Sequence, residues 1–75
     1  MITPDEIERM IREKLPDAEI RIRDMTGTAD HFEIHVVSGS FSGKSILEQH
    51  KAVFAALEKE MDGRIHAVQL KTKVK

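Results

Sequence analysis

Four histidines are the side chains most able to do chemistry in this 75-residue chain, because it contains no cysteine. Without a thiol, the chain offers neither a cysteine nucleophile nor the thiolates that would hold an iron–sulfur cluster alone. Imidazole is nevertheless a common metal ligand and proton carrier at neutral pH. The candidates are His31, His35, His50 and His66.

The spacing of these histidines separates them into different places. His31 and His35 fall on one side of a predicted strand and about 13 Å apart, which is too far for joint chelation of one metal. His50 follows the apolar side of a predicted helix, which favours a mostly buried imidazole. His66 begins a predicted strand directly after a helix-ending glycine, where a partner can reach it. The sequence is compatible with two interpretations of His66, an incidental surface histidine and a metal ligand.

A glycine-containing string at 39–45 resembles a phosphate-binding Walker A loop. Only three residues separate Gly39 from Gly43, whereas that loop needs four, and the chain is too short for the parallel sheet that carries its metal-binding acid. We therefore exclude nucleotide hydrolysis. Two interpretations remain, an anion site at the helix start formed by Gly43, Lys44 and Ser45, and a strand-to-helix turn that needs small residues.

Composition and size argue against catalysis. With 40% apolar residues, 33% charged residues and a net charge of −1, the sequence predicts one soluble domain over residues 1–75. A domain this short buries roughly 60–65% of its surface, so it has little room for a deep pocket. The order of residues gives no hydrolase triad, paired carboxylates or zinc-protease spacing. We find no membrane-spanning or secretory segment and expect a non-enzymatic protein in the cytoplasm.

The charges are distributed unevenly along the chain. Residues 1–43 hold five basic against nine acidic side chains, whereas residues 44–75 hold seven basic against four acidic ones. Only the second half could therefore form a basic surface for nucleic acid. Ordinary solvated charges on outer faces explain the same asymmetry.

The first segment has the pattern of a capped amphipathic helix. Thr3 can cap it, Pro4 suits its first position, and Glu6 can complete a capping box. Apolar residues then recur at helical spacing until Pro16 forbids continuation. These residues are Ile7, Met10, Ile11 and Leu15.

The next segments alternate with a period of two and predict strands. Residues 18–23 and 32–37 pair most simply as an antiparallel hairpin across the loop at 25–30. A second helix opens at Lys44 or Ser45 and is ended by Gly63. Its predicted apolar face consists of Ile46, Leu47, His50, Val53, Phe54, Leu57 and Met61.

A third strand is predicted at 65–72, parallel to the second strand because a helix separates them. The predicted order is therefore α-β-β-α-β. The fold class is α+β, with both helices on one face of a three-stranded mixed sheet.

An ordered set of motifs resembles the BolA family over nearly the whole chain, from the first helix to the last strand. The motifs are Phe32-x-Ile-x-Val-Val-Ser38, Phe41-Ser-Gly-Lys-Ser45, His50-Lys51-x-Val53, Ala55-Ala-Leu57 to Glu60-Met61, and Ile65-His66-Ala67-Val68. The resemblance implies a class II KH-like fold, which agrees with the order reached from periodicity. Many members have arginine where this chain has Gln49, which weakens the case for DNA binding.

The resemblance also implies a partner function. BolA-like proteins bind monothiol glutaredoxins, and the two proteins can share a [2Fe–2S] cluster that also contains glutathione. We expect the isolated chain to be a monomer that binds no cluster. His66 matches the C-terminal ligand of the family. The second ligand lies in the loop between the first two strands, where His31 is available and where Thr28 and Ala29 replace the cysteine of some members. Iron–sulfur cluster assembly, trafficking or iron sensing would follow.

The alternative that the resemblance implies is DNA binding, because some members are transcription regulators of stress response and cell shape. This function would use the helix-turn and glycine-loop surface. Its basic residues would be Lys44, Lys51, Arg64, Lys71 and Lys73.

Overall fold

The predicted order of elements is confirmed by a computed structural model, which describes residues 3–25, 31–61 and 67–75. Two helices and three strands follow one another, with a single 3₁₀ turn at Gly39–Phe41 between the second strand and the second helix. The elements are α1 (Pro4–Lys14), β1 (Glu19–Asp24), β2 (His31–Ser38), α2 (Ile46–Met61) and β3 (Ala67–Val74). In the described ranges, neither helix is long and apolar enough to cross a membrane.

The sheet has the order β1-β2-β3, so β2 lies in the centre. β1 pairs with β2 antiparallel and β3 pairs with β2 parallel, as the sequence predicts. Ile34 of β2 is opposite Ile22 on one side and Leu70 on the other. The two strands that flank β2 therefore present their apolar residues on the same face as β2.

Alternation along β2 gives the sheet two different faces. Phe32, Ile34 and Val36 are fully buried and form one core with residues of both helices. We call this the inner face, and the opposite side, which carries His31, Glu33, His35 and Val37, the outer face. Because α1 and α2 contribute to the core of the inner face, the prediction that both helices cover one face is confirmed.

The start of α1 has the predicted cap. The Thr3 hydroxyl accepts a hydrogen bond from the Glu6 N–H at 3.2 Å, and Pro4 occupies the first turn. Ile7 and Ile11 are fully buried on the face that the spacing indicated. The cap and the buried face together fix the start and orientation of the helix.

The end of β2 is held by Asp17, which follows α1. Its Oδ1 accepts a hydrogen bond from the buried Ser38 hydroxyl at 2.7 Å, and its Oδ2 accepts one from the Gly39 N–H at 2.8 Å. A Cβ atom at Gly39 would lie 3.1 Å from Asp17 Oδ2, so this position favours a small residue. Lys75 Nζ donates to the Asp17 carbonyl oxygen at 3.0 Å. One carboxylate thus connects the turn before β1 to the turn before α2.

The predicted apolar face of α2 is wrong at its first two members. Ile46 and Leu47 are 59% and 64% exposed, whereas Gln49 is only 4% exposed. The helix turns the stripe of Gln49, Val53 and Leu57 toward the sheet, at a spacing of four residues.

Hydrogen bonds of the Gln49 amide account for this rotation of α2. Its Nε2 donates to the Lys44 carbonyl oxygen at 2.9 Å, and its Oε1 accepts from the Thr72 hydroxyl at 2.7 Å. His50 and Phe54 are consequently half-buried rather than part of the core, with their ring centroids 6.4 Å apart in an edge-to-face arrangement. Gly63 and the Met61 side chain lie outside the described part of the chain.

Two leucines of α2 provide a direct check of this orientation. Leu57→Ala should lower the free energy of unfolding by about 2–5 kcal/mol, since it opens a cavity beside a fully buried position. Leu47→Ala should change it by less than about 0.5 kcal/mol, since that side chain faces water. Urea denaturation measures both. Equal losses in the two variants would contradict the orientation.

The Asp17 hydrogen bonds predict an acid-dependent loss of stability. Its bonds to Ser38 and Gly39 hold the pKa of this carboxyl below its ordinary value of 3.8. Because the folded-state pKa is depressed, the contribution is fully present above that value and is lost as the pH falls through the folded-state pKa.

Asp17→Asn should therefore lower the melting temperature at neutral pH and reduce the further loss on acidification below pH 3.8. Thermal denaturation followed by circular dichroism at several pH values measures this. Glu13→Gln, which removes one charge from an exposed position of α1, is the control. An Asp17→Asn variant that matched the wild type at every pH would refute the role of this carboxylate.

Candidate functional site

The end of the sheet where β2 and β3 begin is the candidate site. His31 is the first residue of β2, its side chain is exposed, and it is in parallel register with Ala67, the first residue of β3. Neighbouring strands lie about 4.8 Å apart. The backbone of β3 thus lies next to His31 at Ala67. In the sequence, Ala67 directly follows His66, the other candidate ligand.

The backbone at His31 is fixed from the β1 side as well. The Met25 N–H donates a hydrogen bond to the His31 carbonyl oxygen at 2.8 Å, which closes the base of the loop between β1 and β2. His31 is therefore anchored by both of its neighbouring strands while its imidazole is exposed. His66 itself, together with Thr28, Ala29 and Arg64, lies outside the described residues.

The described residues do not form a complete metal site of their own. No group of three or more His, Cys, Asp or Glu side chains is placed to hold a metal within residues 3–25, 31–61 and 67–75. The sequence also has no cysteine. A sulfur-bridged iron cluster requires about four protein or cofactor ligands, so this chain fits such a cluster only if other molecules supply the thiolates.

The other two described histidines lie in different surroundings. His35 is on the outer face, where its Nε2 is 3.2 Å from Glu33 Oε1. His50 is on α2, where it packs edge-on against Phe54. The fold therefore separates both of them from the sheet end marked by His31.

The 39–45 string forms a turn, and its amides are used within the chain. Gly43 has a positive φ of 78°, the left-handed conformation that glycine adopts readily. The Lys44 N–H donates to the Phe41 carbonyl oxygen at 3.0 Å, and the Ser45 N–H donates to Glu48 Oε1 at 2.9 Å. Of the two interpretations, the structure favours the turn, because a carboxylate of the chain itself occupies the place of the anion.

Glu48 completes a capping box at the start of α2. The Glu48 N–H donates to the Ser45 hydroxyl at 3.2 Å, and the Ser45 N–H donates back to its carboxylate. The hydrogen bond from the Ser45 N–H, followed by one from the Ser45 side chain, holds the pKa of the Glu48 carboxyl below its usual range. A second anion at this helix start would meet electrostatic repulsion.

The basic residues of the DNA-binding alternative are divided between two surfaces. Lys44 and Lys51 are exposed in the helical layer, whereas Lys71 and Lys73 lie on the outer face of β3. Gln49 of α2 is buried and bonded to Thr72, so it adds no exposed polar group beside Lys51. The described residues therefore do not combine these lysines into one continuous stripe.

Sequence reasoning missed one arrangement on the outer face. The register places Arg21 opposite His35 and His35 opposite Lys71, in one row across all three strands. The alternation of each strand indicates which residues face outward, but the row depends on how the strands are aligned, which local patterns do not give.

Comparisons with known structures define the class of fold. A BolA-like protein from Babesia bovis superposes with a TM-score of 0.86 at 28% identity, over 99% of this chain and 86% of that chain. The solution structure of yeast Fra2 gives a TM-score of 0.76 at 33% identity, over 95% of this chain and 77% of that chain. The chain thus has the two-helix, three-stranded α+β fold of these proteins.

Sequence comparisons identify the family. The family model described as BolA-like protein matches residues 8–75. Protein BOLA2 of Arabidopsis thaliana is 40% identical over 72 residues, which cover 95% of this chain and 76% of that protein. The chain belongs to the BolA family, and the resemblance in its motifs is confirmed.

Proposed function

We propose that this protein is a non-enzymatic adaptor that binds a monothiol glutaredoxin and co-ligates a [2Fe–2S] cluster with it and with glutathione. In this proposal His66 is one ligand from this chain and His31 is the other. The cluster is cargo in iron–sulfur assembly or trafficking, or a signal in iron sensing. The observation that carries the proposal is the parallel register of His31 with Ala67, the residue after His66.

The ligand chemistry supports a shared site. Thiolates are the usual ligands of iron–sulfur clusters, and this chain has none, so a partner must bring the sulfur. Imidazole can replace thiolate on one iron, which raises the reduction potential of the cluster. A cluster held partly by imidazole from one protein and by thiolate from another has two sets of ligands that can be released separately, which suits transfer.

The shape of the site also supports an interface. His31 is exposed at the end of the sheet, and its backbone is held on both sides by β1 and β3. An imidazole on a rigid strand loses little freedom when it coordinates a metal, so the cost of ordering it is small. The partner can approach the sheet end without displacing the core, which lies on the inner face.

Family membership agrees with this proposal, because the adaptor function is the one that the BolA resemblance implies. The DNA-binding regulator remains the alternative prediction. It would require lysines from both the helical layer and the outer face of the sheet, and no described contact joins them.

Visible circular dichroism of the reconstituted complex tests the ligands. The protein is mixed with a monothiol glutaredoxin, iron, sulfide and glutathione, and the cluster bands are recorded. His66→Ala should abolish the spectrum that is specific to the mixed complex, and His31→Ala should shift its bands and shorten the lifetime of the cluster. Both effects follow from loss of a ligand at one iron.

His35→Ala and His50→Ala are the matched controls, because each removes one imidazole from the described surface away from the sheet end. Both controls should keep the wild-type spectrum. If His66→Ala also keeps it while the two proteins still bind, the ligand assignment is wrong. If the two proteins do not associate, the proposed partner is wrong.

A further inference from the structure

The outer face of the sheet is a second surface, and it carries more positively than negatively charged side chains. The described core lies on the inner face, and on the other side the cations of β1 and β3 are exposed while Glu33, His35 and Val37 of β2 are partly exposed. Cations outnumber carboxylates on this face. The cations are Arg21 and Arg23 of β1 and Lys71 and Lys73 of β3, and the carboxylates are Glu19 of β1 and Glu33 of β2.

The centre of this face is a row of three nitrogen-bearing side chains. Arg21 is directly opposite His35, which is directly opposite Lys71. Side chains in directly opposite positions have Cβ atoms about 5 Å apart. Two permanent cations therefore flank one imidazole within the width of three strands.

Glu33 of β2 lies beside this row and contacts both Arg23 and the central His35. Glu33 Oε2 is 3.3 Å from Arg23 Nη2, and Glu33 Oε1 is 3.2 Å from His35 Nε2. The structure shows no ion pair of Arg21 or Lys71 with a described residue within 4.0 Å. Glu33 offsets part of the positive charge of Lys71, and the side chains of Arg21 and Lys71 are both exposed to an approaching anion.

Shallow depressions surround the row, and His35 lines three of them. One of about 240 Å³ is bordered by Arg21, Arg23 and Glu33. A second of about 260 Å³ is bordered by Lys71 and Lys73 on the β3 side of His35. A third of about 450 Å³ is bordered by Glu19 and Arg21. The β3 side of the central imidazole therefore has a cationic depression, whereas the β1 side combines arginines with Glu19 and Glu33.

The chemistry of the face favours carboxylates of a protein over nucleic acid. Arginine presents a planar fork that matches a carboxylate, and lysine adds a point charge. The described outer face carries no Phe, Tyr or Trp, so bases would have only the imidazoles of His31 and His35 as rings to stack on. Glu19 and Glu33 would repel a uniformly charged phosphate backbone but can pair with a basic residue of a protein segment.

We propose that the outer face of the sheet binds an acidic segment of a protein partner, with carboxylates placed at Arg21 and at Lys71 on the two sides of His35. The centre of this docking surface, at His35, lies four residues along β2 from His31, so it is on the same face but away from the sheet end. It does not depend on the cluster-sharing function.

Matched charge variants test this surface. The probe is a fluorescein-labelled peptide of alternating glutamate and serine, and binding is followed by fluorescence anisotropy at low ionic strength. Arg21→Gln/Lys71→Gln should weaken binding by about tenfold, as expected when two charge-assisted contacts are lost. Lys44→Gln/Lys51→Gln removes the same charge from the helical layer and should weaken binding by less than about twofold.

Stability separates a binding role from a structural one. Since Arg21 and Lys71 are exposed and have no ion pair of their own among the described residues, Arg21→Gln/Lys71→Gln should melt close to the wild-type temperature while it loses affinity. A variant that loses both binding and stability would mean that the pair is structural, which would overturn the proposal.

Two further outcomes would also overturn it. Equal weakening by the two double variants would show that the peptide responds only to net charge. The protein could instead bind an oligothymidylate of matched length more tightly than the peptide, with a steep salt dependence. That result would assign the face to nucleic acid.

NMR chemical-shift changes on addition of the peptide should centre on Arg21, His35 and Lys71. Because neither glutaredoxin nor iron is present, a negative result leaves the proposed function unaffected.

Discussion

The parallel pairing of β2 with β3 is the constraint on which the rest of the structure depends. A parallel pair needs a crossover, and α2 provides it on the inner face of the sheet. Parallel strands begin at the same end of a sheet, so His31 and Ala67 are neighbours although they are far apart in sequence. The same pairing places β2 in the centre and leaves one face of all three strands open. Both proposed surfaces are therefore consequences of one register.

Two polar side chains secure this arrangement from opposite sides. Asp17 binds the end of β2 through Ser38 and Gly39, and Gln49 connects α2 to β3 through Thr72. A buried amide that lost its partner would cost free energy, so the Gln49 bonds select one rotation of α2. That rotation exposes the first apolar residues of the helix. Polar contacts, rather than apolar packing alone, decide which surface α2 presents to solvent.

Local sequence patterns were sufficient to predict the order of helices and strands. They were insufficient to predict which side of α2 is exposed and how residues are arranged on the outer face. The cap at Thr3 and the alternation in β2 follow from neighbouring residues, so the order of elements could be predicted. The exposure of Ile46 and Leu47 could not, because α2 carries two overlapping apolar stripes and the sheet selects the one that contains Gln49. For the candidate site, the sequence predicts His31 as a ligand, and the structure shows its position at the start of β2. Its neighbour in β3 and the row across the outer face both require the alignment of strands, which is a non-local property.

The central claim is that imidazole nitrogen from this chain binds the iron of a cluster whose sulfur ligands come from other molecules. Pulsed electron paramagnetic resonance of the reduced cluster tests it most directly, with ¹⁵N-histidine in this chain and an unlabelled glutaredoxin. The account predicts a strongly coupled ¹⁵N signal that replaces the ¹⁴N signal of the unlabelled complex. A cluster in the mixed complex that shows no ¹⁵N coupling from this chain would contradict it.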